Sequence, residues 1–244
     1  MAFLTAMSNS YGAKWFDESW NPQFDGAAWK ATLTDYLELM NNYGPPGASN
    51  NGFNENLSLM QTGHCGMWID ATVAASFVTG KDSQVADKMG FALAPDNGLG
   101  KRSNWLWAWS LAIPAGTEKV DAAKTLVAWA TSKEYTQLVA SKEGWANVPP
   151  GTRTSLYENP EYQKVPFAKM TLDSINSADP TNPTVDPVPY VGVQFVAIPE
   201  FQGMATATGQ QFSAALAGTT SLDDALAASQ ELAKTEMTKA GYIK

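Results

Sequence analysis

The chain has one cysteine, Cys65, and one histidine, His64, in 244 residues. A lone cysteine excludes an intramolecular disulfide. It leaves the redox compartment open, because a chain this long buries enough apolar surface to need no covalent staple. The pair also falls short of a zinc site, which needs several Cys or His ligands at defined spacing. Adjacent residues of an extended segment point to opposite faces, so these two would not share a metal. Basic residues are scarce: 16 Lys and Arg stand against 24 Asp and Glu, for a net charge of −8. Phosphate-rich surfaces attract basic patches, so neither nucleic acid nor an anionic membrane surface is an expected partner. No apolar run approaches the roughly 18 residues that span a bilayer. The first residues, MAFLTAMSNSYG, carry no basic region ahead of a long apolar run, so they are not read as a secretory signal. If the parent is exported, the signal is expected outside this sequence. AFLTAM reads like the middle of a helix with no cap before it, which suggests a start inside a larger protein.

Catalytic signatures are missing as well. There is no GxSxG, HExxH or P-loop. GLGKRS, residues 98–103, begins like a dinucleotide fingerprint, but Ser103 replaces the third glycine and no helix follows. Serine-hydrolase chemistry would have only His64 as its base. A pair of Asp and Glu for glycoside hydrolysis remains open, because such pairing is spatial. No Asp or Glu sits in a local setting that marks it as catalytic. The sequence therefore assigns no catalytic residue, no metal and no cofactor.

What is present is helical periodicity, short apolar runs and many tryptophans. DGAAWKATLTDYLELMNNYG places Trp29, Leu33, Tyr36, Leu37 and Met40 at helical spacing, with Asp25 as N-cap and Gly44-Pro45-Pro46 as stop. Further helices are expected at 54–62, after Asp70, in two segments capped by Thr117 and Ser132, and from Asn159-Pro160. Two more are expected at 199–217 and from Ser221. The last shows Leu222, Ala225, Leu226, Leu232 and Ala233 on one face. Strands are expected at 65–70, 89–95 and 104–113, and residues 177–192 form a Pro-rich connection. Strands separated by helices indicate an α/β layered domain with helices on both faces of the sheet.

There are nine tryptophans. NWLWAWSLAIP puts Trp105, Trp107 and Trp109 on one face of a strand with Leu111 and Ile113. The end of the run, 109–113, reads as core. Trp105 and Trp107 stand beside polar Arg102, Ser103 and Asn104, and either pack inward or line a pocket. Aromatic faces suit the C–H faces of carbohydrate, with polar groups at the rim for the hydroxyls. EGWANVPPGTR offers Trp145 in a stiff loop, or folded back on a helix end. It also offers Arg153 as a donor fork, or as a surface ion pair. WIDAT places Asp70 and Thr72 where a strand gives way to a helix, the usual ligand side of an open α/β sheet. Asp70 suits an N-cap there equally well.

Several segments are similar to the extracellular family 1 solute-binding proteins of ABC transporters. FNENLSLMQTGHCGMWIDAT resembles the family's helix, glycine, Met-containing strand and ligand-facing turn. MGFALAPDNG resembles its strand ending in a small-Pro step. SLAIPAGTEKVDAAKTLVAWATSKEYTQLVASKEGWANVPPGTR resembles its strand, helix, helix and G-x-x-P-x-R block. FVAIPEFQGMATATGQQFSAALAGTTSLDDALAASQELAKTEM resembles its C-terminal helix pair. The aromatic-rich run and DESWNPQF look most like binders of sugar alcohols such as sorbitol and mannitol.

The resemblance implies an α/β fold, a helix-rich, type II-like lobe of a periplasmic binding protein with a small central sheet flanked by helices. Residues 1–244 would be a single lobe, the C-terminal ligand-binding one, with the N-terminal lobe absent. It implies a periplasmic or extracellular parent that captures a sugar alcohol or small sugar and delivers it to an ABC permease in the membrane. Candidate ligand contacts are Trp107 and Trp145 as platforms, Asp70, Thr72, Asn104 and Arg153 as hydroxyl partners, and Trp105 as a further ring. Two other readings remain open: a carbohydrate-active enzyme domain using an Asp/Glu pair, and a protein-interaction module docking through its Trp face.

Overall fold

In the computed structural model, which describes residues 1–151 and 153–244, the chain forms helices α1 (Ala2–Ser10), α2 (Ala27–Tyr43), α3 (Phe53–Gln61), α4 (Ala74–Val78) and α5 (Val120–Ala130). They are followed by α6 (Lys133–Glu143), α7 (Thr154–Tyr157), α8 (Ala168–Ser177), α9 (Phe201–Leu216) and α10 (Leu222–Lys239). Two compact units result. The first comprises Met1–Asn56, Leu93–Leu106 and Ser174–Lys244, and the second Leu57–Ala92 and Trp107–Asp173.

The first unit is a helix pack around an aromatic cluster. Trp15 is 1% exposed and makes edge contacts with Phe24, Trp29 and Phe201 at ring separations of 4.9, 6.3 and 5.0 Å. Both of its N–H groups have partners: the indole donates to Thr5 Oγ1 at 3.1 Å, and the backbone N–H donates to Tyr190 Oη at 3.1 Å. Trp29, on α2, stacks near Phe24 and Phe212, and its indole N–H reaches the Lys14 carbonyl at 2.8 Å. α9 and α10 pack on each other and on α2. Ala225, Leu226 and Ala233 of α10 are buried there, as its apolar stripe predicts. Ser221 caps α10, accepting from the Asp224 N–H at 3.0 Å.

DESWN is a turn. The Asp17 carboxylate accepts from the N–H groups of Ser19 and Asn21, both at 2.9 Å. This holds Trp20 in the left-handed region at φ 66°, with its ring on Phe16 and Tyr242.

The second unit has fewer deeply buried side chains. Phe91 meets Phe167 edge-on at 5.5 Å, and Tyr157 meets Tyr162 at 5.6 Å. Gln61, at the end of α3, donates to the Phe77 carbonyl at 3.0 Å, and its own carbonyl accepts from Gln84 N–H at 2.8 Å. Ser132 caps α6 by accepting from Tyr135 N–H at 3.1 Å. Trp129 of α5 meets Tyr135 of α6 edge-on at 5.0 Å.

The α/β architecture expected from the sequence, a small central sheet flanked by helices, is not what forms. Among the described residues there is no strand, only two isolated bridges, Phe16 with Pro22 and Asp96 with Arg102. Residues 65–70, 89–95 and 104–113 have strand composition, yet none is laddered to a neighbour. A strand exists only through the partner that takes its N–H and C=O groups, and composition does not supply that partner. The core reading of 109–113 fails too, since Trp109 is 89% exposed and Leu111 60%.

Four helix starts also move. α5 is capped by Lys119 rather than Thr117, without a side-chain bond. α2 is capped by Gly26 rather than Asp25, without a side-chain bond. α4 begins after Val73 rather than at Asp70. Asn159-Pro160 opens only a short 3₁₀ turn, with Asn159 Oδ1 accepting from Glu161 N–H at 2.9 Å.

Trp29→Ala is expected to lower the unfolding free energy by about 3–5 kcal/mol, as for other buried large-to-small changes. The readout is a reduced urea midpoint at unchanged slope.

Candidate functional site

Five of the seven sequence-predicted site residues, Asp70, Thr72, Trp107, Trp145 and Arg153, lie in the second unit, and Asn104 and Trp105 in the first.

Two of the five share a cavity. Trp145 sits half-buried in a 3₁₀ turn, Trp145–Asn147, after Gly144 ends α6 at φ 86°. It lines a cavity of about 150 Å³ with Arg153, Lys133, Gln137, Leu156 and Asn159. Arg153 is an exposed fork closed on one acceptor: Nε and Nη2 both donate to the Thr131 carbonyl, at 3.1 and 2.7 Å. That carbonyl belongs to the residue closing α5, where a cation also complements the helix dipole. The guanidinium therefore ties its loop to the end of α5, with Nη1 outside that contact. Its field also helps hold the Glu134 carboxyl below its usual range. The larger contributions there are hydrogen bonds from the Glu134 backbone and Ser132.

Asp70 is half-buried, and its Oδ1 accepts from Ala71 N–H at 2.6 Å. Burial raises its carboxyl above the usual carboxylate value, opposed by that backbone bond and by a hydrogen bond from the Trp68 side chain. Residues two apart on an extended run share a face, so period-2 spacing in WIDAT already carried the signal for Trp68. Thr72 is half-buried in the turn before α4, where its carbonyl accepts from Ala75 N–H at 3.1 Å. Trp107 is 53% exposed and its ring meets Trp109 at 5.8 Å and 58°. Trp109 is the aromatic that the sequence reading assigned to core and that the structure sets outside it. The alternation of the run placed it on the Trp107 face throughout.

In the first unit, Asn104 is 6% exposed and its amide donates to the Ser174 carbonyl and Ser177 Oγ, at 3.2 and 3.1 Å. Asn104 lines a polar cavity of about 260 Å³ with Lys101, Arg102, Ser177, Asp179 and Asn182. Asp179 is held ionised down to about 2 by hydrogen bonds from Thr181 and Asn182. Trp105 is half-buried beside Leu106. Gln194, 88 residues away, clamps Leu106 by taking its N–H at 3.2 Å and donating to its carbonyl at 2.7 Å. One side-chain amide thus does at Leu106 what a neighbouring strand would do, and nothing in the local sequence announces it.

Within the second unit one cavity sets the Trp145 ring near the Arg153 guanidinium, and within the first a separate cavity is lined by amide, carboxylate and cationic side chains. Among the described residues no cluster of His, Cys, Asp and Glu is arranged to hold a metal.

The chain belongs to the bacterial extracellular solute-binding proteins, whose family model matches residues 1–137. It is 53% identical over its whole length to the mannitol-binding protein of Pseudomonas aeruginosa, of which it covers 56%. It is 73% identical to an ABC transporter solute-binding protein from Agrobacterium vitis S4 with bound D-mannitol, at a TM-score of 0.96, and covers 59% of that chain. The fold also matches a ribitol complex from Agrobacterium radiobacter K84, at 22% identity and a TM-score of 0.78. The chain thus spans a little over half the length of the relatives it matches.

Asp70 gives the site a pH signature. Its folded value lies above the 3.8 of a free carboxyl, so the folded state binds this proton more tightly than the unfolded chain. Its contribution to stability is present in full below 3.8 and is lost as pH rises through the raised value. Asp70→Asn is expected to remove that slope from urea unfolding measured across the acidic range.

Proposed function

We propose that this chain is one lobe of the solute-binding component of an ABC importer, and that its ligand is a sugar alcohol, with D-mannitol as first candidate. The observation that carries this reading is the 73% identity, along the whole chain, to a protein with bound D-mannitol. At that identity the side chains around a ligand tend to be retained together with the backbone that places them. The 53% identity to a mannitol-binding protein supports the same ligand class. The function is capture and release, without turnover, on the outer side of the cytoplasmic membrane. The partners in this reading are a membrane permease and a second, N-terminal lobe.

A hexitol presents C–H edges and six hydroxyls and carries no charge. In this reading Trp107 and Trp145 offer ring faces to the C–H edges, with Trp105 as a further ring. Asp70 accepts from hydroxyls, Thr72 and Asn104 exchange hydrogen bonds with them, and Arg153 donates through the part of its fork not turned to Thr131. Each such bond replaces one made to water, so selectivity comes from placement more than from bond strength. Clamping between two lobes adds contacts from both sides, so one lobe alone binds weakly.

Tryptophan fluorescence of the full-length parent, titrated with D-mannitol, sorbitol and maltose, is expected to respond to the polyols. Trp107→Ala is expected to weaken mannitol binding about tenfold, near 1.4 kcal/mol. A parent that responds to no polyol or sugar refutes the ligand class, and unchanged affinity in Trp107→Ala removes that ring from the site.

A further inference from the structure

The cavity beside Trp145 lies wholly within the second unit and differs in charge from the chain as a whole. The net charge is −8, yet two cations, Lys133 and Arg153, line this cavity and no carboxylate does. The acid next to Lys133 in sequence is Glu134. Hydrogen bonds from its own backbone and from Ser132 hold its carboxyl below the usual range, and the fields of Arg153 and Lys133 add to them. Among the described residues Lys133 makes no ion pair, and its ammonium makes no hydrogen bond. Lys133 and Arg153 are both exposed, so the cavity is open to solvent.

The polar groups here have more hydrogens to donate than lone pairs to offer. Arg153 turns Nε and Nη2 to the Thr131 carbonyl, which leaves Nη1. Asn159 Oδ1 already accepts from the N–H groups of Glu161 and Tyr162, at 2.9 and 3.4 Å, so its side chain has its amide N–H groups left. The Lys133 ammonium carries three donors and no acceptor. A cationic, donor-rich pocket selects a negatively charged acceptor, and a hydrogen bond between ionised groups is roughly twice as strong as a neutral one. The Trp145 ring and Leu156 add an apolar wall, which suits a carbon chain better than inorganic phosphate. The hydroxyls of Thr136 and Ser155 line the same space and suit a hydroxylated chain. At about 150 Å³ the cavity admits a carboxylate and the first carbons behind it.

We propose that this cavity holds the carboxylate end of an aldonate, the sugar acid in which a carboxylate replaces one terminal CH2OH of a hexitol. Lys133, Arg153 Nη1 and the Asn159 amide donate to the carboxylate, and Trp145 faces the C–H edge of the carbons behind it. The ligand range thus extends from neutral polyols to their acids, and Lys133 is the residue that distinguishes the two. The inference rests on the reading of Trp145 and Arg153 as ligand contacts, and Lys133 allows it to be tested apart from the polyol.

The test is calorimetric titration of the full-length parent with D-gluconate, sorbitol and D-mannitol. Gluconate and sorbitol share a carbon skeleton and differ at one terminal carbon. At low salt gluconate is expected to bind about tenfold more tightly than sorbitol, and the gain is expected to shrink as added NaCl screens the cations. Lys133→Gln is expected to lower gluconate affinity at least about fivefold and to change sorbitol and mannitol affinity less than about twofold. Thermal unfolding of this variant is expected to match that of the unmodified parent, because the exposed ammonium has no hydrogen bond to lose.

Equal affinity for gluconate and sorbitol overturns the inference, and so does a gluconate affinity that Lys133→Gln leaves unchanged. Displacement of gluconate by acetate or inorganic phosphate at the same concentration overturns it too, because the cavity then takes any anion. The two ligand claims separate cleanly. Polyol binding without a gain for gluconate refutes the sugar acid and leaves the polyol, whereas Lys133-dependent gluconate binding without polyol binding refutes the polyol and leaves the sugar acid.

Discussion

The first unit depends on the burial of Trp15. Its ring is the meeting point of aromatic side chains from the turn before α2, from α2 itself and from the start of α9. A residue of this size gives a large apolar contribution, but its indole N–H and backbone N–H must also be satisfied in the interior. Thr5 of α1 and Tyr190 of the Pro-rich connection do this. One residue therefore ties together segments 10 and 175 positions away, through its indole and its backbone N–H respectively. α10 then closes on α9 and α2, covering Phe212 and Leu33 in the same core.

Among its described residues the second unit has no comparable centre. Phe91 meets Phe167, Tyr157 meets Tyr162, Trp107 meets Trp109 and Trp129 meets Tyr135, and α5 and α6 bury no residue. The residues named as ligand contacts from the sequence fall mostly here. Openness and ligand chemistry are compatible demands, because a surface that receives a ligand cannot already be filled from within. The hydrogen bonds found around those residues run from adjacent positions to partners 70 residues away. Arg153 closes α5, Ala71 N–H and Trp68 engage Asp70, and the Asn104 amide reaches the end of α8. Each fixes a side chain in place, which is the preorganisation that the proposed binding roles require.

The helices were legible because their signals are local. Ser132 and Ser221 cap helices as read, Gly144 and Gly218 end them with positive φ, and the stripe of α10 is the buried face. Where competing local signals were close in strength, the reading slipped by one to three residues, as with Asp25 against Gly26 and Asp70 against Val73. The strands were not legible in the same sense. Alternation correctly grouped Trp107 with Trp109, but it could not say whether that face was covered. Nor could any local pattern foresee Gln194 bracketing Leu106 from 88 residues away.

The sequence by itself determined most of the helices, the caps at Ser132 and Ser221, and the family, through the order of segments resembling solute-binding proteins. It also determined the aromatic and polar inventory from which the proposed polyol site is drawn. Only the tertiary structure decided which tryptophans are core and which are surface: Trp15 and Trp29 are sealed, Trp107 and Trp109 open. It alone decided that 65–70, 89–95 and 104–113 stand as extended runs without a ladder. The physical reason is the range of the forces involved. A helix closes its hydrogen bonds four residues along the chain, so its evidence is local. A strand and a buried ring take their partners from wherever the chain returns, and that is a property of the whole fold.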